Sequence, residues 1–370
     1  MAKRVLGLIN LYDSPSLGEL TQNRTLGSTS FLGRFAIMDF TLSNFTNSYI
    51  DEVNILVKDN YRSVAKHVGT LKQWVNNTKI GRQNILMNEP GIRDPKLNSD
   101  LNAIRHNDWA LYEAKADYVV IAPAHIITLC NYRDALNSHI KNNADLTVIY
   151  TKIHDGKKAF LTSNVLEVKD DKIVLFKPNK GEKDDVNVSL RTYIISMDAF
   201  QKILNHKDST NAMSLRMLIE KLVSEQSLKV FGYEYKGYAR CIDSFEHFIE
   251  YSFELLDHSV ATQLFDQDWP VYTVSHNAPP TIYGVDAKVS NVFVANGSHI
   301  YGKVENSVIS RHVVVGKKAD VDHAIILTDT EVGDNVKLRY AVIDKYAKVY
   351  KDVIGTKDKP VYVPQGAVLK

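Results

Sequence analysis

Arginine suits an anionic ligand well, because its planar guanidinium meets phosphate or carboxylate through two parallel hydrogen bonds. By residue type alone Arg24 and Arg34 fit the commoner case of an arginine that is simply solvated. Lys177 follows the strand-like run Lys172 to Leu175, in Phe176-Lys177-Pro178, and by position is a solvated lysine at a strand end. His125, in Pro123-Ala124-His125-Ile126, fits by its surroundings a hydrogen-bonded core histidine. The two cysteines, Cys130 and Cys241, cannot build a disulfide framework. They suit a reducing, cytoplasmic setting, and Cys130 reads as a core residue.

Those residues need a scaffold. A chain of 370 residues is too long for one ordinary core and suits two domains. With 44% hydrophobic and 24% charged residues the composition is that of a soluble globular protein. A net charge of +2 points to neither a nucleic-acid nor a membrane partner. No apolar run approaches the roughly 20 residues of a membrane span. The opening Met-Ala-Lys-Arg-Val-Leu-Gly-Leu-Ile reads as a first buried strand rather than a signal peptide.

Over residues 1–265, short apolar runs alternate with helical patterns. Val5–Ile9, Val53–Val57, Tyr118–Ala122, Leu146–Tyr150 and Thr192–Ser196 are continuous Val- and Ile-rich runs, as in strands covered on both faces. Val64, Val68, Leu71 and Val75 recur at helical spacing, as do Leu215, Leu218, Ile219, Leu222 and Val223. A third helix runs from about Ser244 to Asp257, with Phe245, Phe248, Ile249, Phe253 and Leu256 on its apolar side. This alternation predicts an α/β domain with a mostly parallel sheet.

Prolines in Trp269-Pro270-Val271 and Ala278-Pro279-Pro280 mark residues 266–281 as an extended linker. Over 282–370 no helical period survives. Val304, Val321 and Leu338 lie 17 residues apart, as do Ile309, Ile326 and Ile343, and Val315, Val332 and Val349. Small residues recur with them at Ser307, Ala324 and Ala341. A branched aliphatic every five or six residues with a small residue behind it predicts a parallel β-helix of three short strands per coil.

The segment from Arg34 to Ile50 contains Asp39-Phe40-Thr-Leu42-Ser43-Asn44 and then Asn47-Ser48. By residue type it is an apolar lead-in, a polar Ser-Asn turn or cap, and then a helix. It also resembles the Asp-Phe-x-Leu-Ser-Asn-x-x-Asn-Ser signature of the glucose-1-phosphate adenylyltransferases (ADP-glucose pyrophosphorylases). The resemblance runs through the whole chain, and within the family it is to the GlgD-type subunits. It implies a Rossmann-like, GT-A-like nucleotidyltransferase domain followed by a left-handed β-helix of hexapeptide-like repeats. It also implies the reaction of ATP with glucose 1-phosphate to ADP-glucose and pyrophosphate. That in-line displacement asks the protein mainly to position phosphates and neutralise charge. The family uses a Gly-rich loop with an arginine, a nearby lysine and two aspartates that hold Mg²⁺.

Aligned on that signature, the family's Gly-Gly-x-Gly-Thr-Arg-Leu loop falls on Leu11-Tyr-Asp13-Ser-Pro-Ser16-Leu17, without a glycine. The loop arginine becomes Ser16 and the lysine Leu26; the two metal aspartates become Ala124 and Cys241. The Gly-Thr-Ala-Asp-Ala segment falls on Ser99-Asp-Leu-Asn102-Ala103. A hard cation wants oxygen ligands, which alanine lacks and thiolate replaces poorly, so no Mg²⁺ or other cofactor is expected on this chain. Lys177 resembles the family lysine that contacts the sugar phosphate, and His125 matches the family histidine of that region. Arg24 matches an arginine next to its effector-phosphate site and Arg34 a basic position of the family, which makes both effector-anion candidates.

The expectation is a catalytically degenerate subunit that regulates or stimulates an active GlgC-type partner carrying the Mg²⁺, in a heterotetramer. A sugar-phosphate or nucleotide effector would bind it. The alternative is an active sugar-1-phosphate nucleotidyltransferase with a rearranged site, using Asp243 and Lys177. The β-helix alone also suggests an acyltransferase, with His312 and His323 as candidates by residue type, but that leaves the α/β domain without a role.

Overall fold

The computed structural model describes residues 3–69, 72–76, 81–88 and 97–370. Nine of its strands form a central sheet: β1 (Val5–Asn10), β2 (Glu52–Leu56), β3 (Gln83–Leu86), β4 (Tyr118–Pro123), β5 (Leu146–Ile153), β6 (Asn164–Lys169), β7 (Lys172–Pro178), β8 (Val186–Ser196) and β9 (Val230–Glu234). Their spatial order is β3-β2-β1-β4-β8-β5-β9-β7-β6. Seven run one way; β7 and β8 run against them. All five runs read as strands from the sequence lie in this sheet.

Continuous apolar runs suit these strands because successive side chains point to opposite faces and both faces are covered. Leu6 and Leu8 enter one hydrophobic cluster while Ile9 enters the other. Val119 and Ile121 split from Val120 and Ala122 in the same way. Each such aliphatic, fully buried, contributes about 1.5–3 kcal/mol.

The helices depart from the sequence reading in two places. The helix expected through Val64, Val68, Leu71 and Val75 covers only Tyr61–Val68, because Gly69 turns left-handed (φ 53°) and closes it. Val75 lies beyond it, past a short 3-10 turn at Lys72–Trp74, and Leu71 lies outside the described residues. The signature segment is the larger correction. Ser43 and Asn44 do not form a turn or cap; they sit buried inside a helix spanning Met38–Asn47. Tertiary partners override their preference for caps. Tyr272 N–H donates to Ser43 Oγ (2.8 Å), and Trp269 Nε1 and Cys130 N–H donate to Asn44 Oδ1 (2.9 and 3.1 Å). Asn47 Nδ2 donates to the Pro270 carbonyl (2.9 Å). The signature therefore fastens the chain after Trp269 onto the α/β domain. The other two helices stand, at Leu215–Ser224 and Phe245–Glu254, each opened by a capping serine, Ser214 and Ser244. A further short helix, His258–Leu264, follows the third.

No helix or strand covers 266–281. From Ile282 the chain winds into coils joined by parallel ladders: Val304 opposite Val321 and Val321 opposite Leu338, with Val315 opposite Val332 on a second face. The aliphatic triplets point inward, and Ser307, Ala324 and Ala341 are buried behind them. Each coil turns at corners in the left-handed region. Asn306, His323 and Tyr340 form one corner ladder, His312, Asp329 and Tyr346 another, Lys318 and Asn335 a third, all at φ between 42° and 64°. One outer face of the coil packs Val308, Ile325 and Val342 against Phe31, Phe40 and Phe248 of the first domain, so the two domains share a hydrophobic seam.

Candidate functional site

In an open α/β sheet, ligands bind beyond the carboxyl ends of the strands. Here that region lies past Asn10, where β1 ends, and Pro123, where β4 ends. Of the four positions that the family resemblance assigns to charged groups, three, Leu26, Ala124 and Cys241, are packed away. Leu11, Ala124 and Cys241 belong to one core cluster, and Leu17 and Leu26 to the cluster at the domain seam. Ala124 and Cys241 are 0% exposed and Leu26 2%. A Cβ placed on Gly27 would lie 3.1 Å from both Ala124 Cβ and Leu11 Cδ2, so that corner is tightly filled. Ser16 is exposed, 3.4 Å from the Thr21 hydroxyl.

Charge in the cleft comes from a residue that the sequence reading did not single out. Arg191 is buried, and its guanidinium pairs with the Asp13 carboxylate through Nη2. Its Nη1 donates to the Asp13 carbonyl (3.3 Å) and to His125 Nε2 (3.0 Å). Arg216 approaches the same Asp13 carboxylate at 3.4 Å and Glu220 at 3.6 Å. His125 is fully buried, and burial together with Arg191 and Arg216 holds its pKa well below the ordinary value. It is therefore neutral, accepting at Nε2 and carrying its proton on Nδ1, which has no partner. Asp100 is buried, bonded to Asn10 Nδ2 (2.7 Å) and Leu215 N–H (2.9 Å), so it ties β1 to the helix Leu215–Ser224. A lone arginine in the run Leu190-Arg191-Thr192-Tyr193 was the only sequence signal for Arg191, and it falls just before the expected strand start.

Asp243 turns to its own neighbours. His247 Nδ1 lies 2.5 Å from Oδ1, and Thr162 donates to Oδ2 through N–H and Oγ1, each at 3.3 Å. Burial raises the carboxyl pKa, but the His247 and Thr162 hydrogen bonds outweigh it and hold the group below its ordinary value. Lys177 is exposed at the end of β7, lining a separate cavity of about 330 Å³ with Lys180, Lys183 and Glu182. His125 and Lys177, the two sugar-phosphate candidates, thus do not share a cavity.

The second cavity of interest, about 410 Å³, opens between the α/β domain and the β-helix. Arg34, Arg62, Lys66, His276, Arg311 and Lys345 line it. Arg24 is at its wall, with its guanidinium already paired to both Asp344 oxygens (2.8 Å each) and to Gln365 Oε1 (2.8 Å). Arg34, Arg62, Lys66, Arg311 and Lys345 have no carboxylate within 4.0 Å among the described residues. The crowding shows in their titration. Burial, then Arg24, pushes the Lys345 ammonium down to about 8, with Lys66 adding to the effect and Asp344 and Asp329 opposing it. Burial and Arg34 lower Arg311, and burial, Arg311, His67 and His312 lower His276. His312 and Asp329, 3.2 Å apart, also line this cavity, whereas His323 stacks on Tyr340 elsewhere.

No helix among the described residues is long and apolar enough to cross a membrane. A family model described as "Nucleotidyl transferase" matches residues 17–230, and one described as "GlmU-like, C-terminal hexapeptide" matches 281–360. The chain is 29% identical over 358 residues to "Glycogen biosynthesis protein GlgD" of Bacillus subtilis, covering 95% of this chain and 93% of that one. It is 26% identical over 348 residues to a glucose-1-phosphate adenylyltransferase of Acetivibrio thermocellus (91% and 80% covered). It is 29% identical over 325 residues to one of Clostridium perfringens (85% and 81%). The resemblance read from the signature thus extends over nearly the whole of this chain. Matched by that first model over more than half its length, the chain belongs to the nucleotidyl transferase family.

Proposed function

We propose that this chain serves glycogen biosynthesis as a catalytically degenerate GlgD-type subunit. It regulates or stimulates a GlgC-type partner that makes ADP-glucose from ATP and glucose 1-phosphate. One observation carries the reading: Leu26, Ala124 and Cys241 stand where the resemblance places a lysine and two carboxylates, and all three are core residues. Adenylyl transfer depends on preorganised charge, and losing a single such group costs about a hundredfold or more in rate. Mg²⁺ does not fit this donor set, since alanine offers no ligand and a buried cysteine, its thiol pKa raised, offers no hard oxygen.

The same reading gives the cavity between the domains to an anionic effector, a sugar phosphate or a nucleotide. Unpaired cations gathered in a half-buried space are stabilised by a bound anion more than by water. Arg34 would contact that anion directly, while Arg24, held by Asp344, would shape the wall. The decisive measurement is ADP-glucose formation by the chain alone, by a catalytic homologue alone and by the two together, with and without sugar phosphates. The expected result is background turnover alone and an altered rate or effector response in the mixture. Turnover by this chain alone at the partner's rate would sink the proposal; so would a mixture indistinguishable from the partner.

A further inference from the structure

Where Arg191 enters the cleft, among Asn10, Asp13, Pro123 and Arg216, the space left is about 20 Å³, room for about one water. Arg191 is what fills it. Strand β8 carries a bulge between Ser189 and Thr192, where its register with β5 shifts, and the bulge re-aims Arg191 into the cleft. Arg191 has φ +52°, a conformation that glycine adopts without strain and a side-chain-bearing residue does not. A strained backbone and a buried permanent cation are two costs borne at one position. Both are offset by the same contacts, to the carboxylate and carbonyl of Asp13 and to neutral His125.

We propose that Arg191 is a built-in plug: with Asp13 it closes the cleft from within, so that nucleotide and sugar phosphate are shut out and not merely held weakly. This rests on the proposed reading of the cleft as the family's substrate site, but its test does not use catalysis. Cys241 supplies the probe. It is fully buried, and Arg191 lies close enough to oppose, in part, the rise that burial causes in its thiol pKa. The full chain and its Arg191→Gly and Asp13→Asn variants would be treated with methyl methanethiosulfonate, and modification followed by peptide mass spectrometry. Cys130, buried elsewhere in the same core, reports general loosening.

The plug predicts that Cys241 is modified at least about tenfold faster in R191G, with Cys130 unchanged. Free guanidinium chloride at about 20 mM, far below denaturing strength, should slow Cys241 again by refilling the space. If R191G loosens both cysteines together, D13N decides, because it keeps the shape and removes only the charge pairing. Faster Cys241 modification confined to that site supports the plug. Unchanged Cys241 modification in D13N, or in a well-folded R191G, overturns it; so does a well-folded R191G whose Cys241 ignores guanidinium. A chain inactive alone whose Cys241 ignores these substitutions loses the plug and keeps the subunit role.

Discussion

The cleft and the cavity between the domains handle charge in opposite ways. Among the described residues the cleft's cations are paired: Arg191 and Arg216 share Asp13, Arg216 reaches Glu220, and His247 is held by Asp243. The space left beside Arg191 is about 20 Å³. In the cavity between the domains, five cationic side chains line about 410 Å³ and lack a carboxylate partner among the described residues. Charges satisfied internally leave nothing for a ligand to satisfy, whereas unmatched charges of one sign raise the local potential until a counter-ion arrives. The contrast supports the proposal that an anion binds at the domain seam while the cleft does structural work.

The sharpest way to break that contrast is to return a carboxylate to the cleft. Ala124→Asp places one in a fully buried, tightly filled site. Burial shifts such a carboxyl up by about 3–5 units, so the variant should lose about 4 kcal/mol or more at neutral pH. Urea unfolding measures that loss, and ADP-glucose formation by the variant alone should stay at background. Restored turnover with undiminished stability would mean that the cleft is still organised for nucleotide.

The next effect tests the wall of the other cavity. Arg24→Ala leaves Asp344, 1% exposed, with Tyr362 Oη (2.6 Å) as its remaining side-chain donor. Stripping one member from a buried pair costs about 3 kcal/mol. Because the pair joins the α/β domain to the β-helix, the loss should also appear as faster proteolysis between the domains. Smaller again is Arg311→Ala, which removes one long hydrogen bond, from Nη2 to the Val274 carbonyl (3.5 Å), and a charge without a carboxylate partner among the described residues. It should leave melting nearly unchanged and weaken sugar-phosphate binding by about ten- to a hundredfold, as expected for one charge-assisted contact. Equal binding in calorimetry would take Arg311 out of the site.

How far this division could be read from the sequence depends on how local each feature is. The β-helix was legible because each coil carries its own inward set, as with Val304, Ser307, Ile309 and Val315. Its corners were not, since tyrosine and histidine at Tyr340 and His323 take left-handed geometry only because the coil imposes it. Ser43 and Asn44 misled for the same reason: their partners Trp269 and Tyr272 are more than 200 residues away. The emptied positions were legible only through family resemblance, and Arg191 was hidden by a bulge that strand periodicity cannot register. Of the cavity between the domains only Arg24 and Arg34 could be guessed, because Arg62 and Lys66 on one helix meet Arg311 and Lys345 on coils far along the chain.

The smallest expected effect is a pH dependence confined to the seam. Lys345 keeps its proton below about 8, against an ordinary value of 10.5. Sugar-phosphate binding should therefore be strongest below that pH and weaken above it, by at most about tenfold per unit, since one proton is involved. The free protein should respond with the opposite sign. Between about 8 and 10.5 the unfolded chain holds a proton that the folded chain has released, so this group's contribution to stability rises with pH there. Below about 8 both states carry the charge and the full cost of burying it remains. Lys345→Met should flatten both curves, read by calorimetry and by urea midpoints from pH 7 upward. A bound anion raises the Lys345 pKa, so binding in unbuffered solution near pH 8 should also take up protons. Uptake that persists in K345M would move the site away from this lysine.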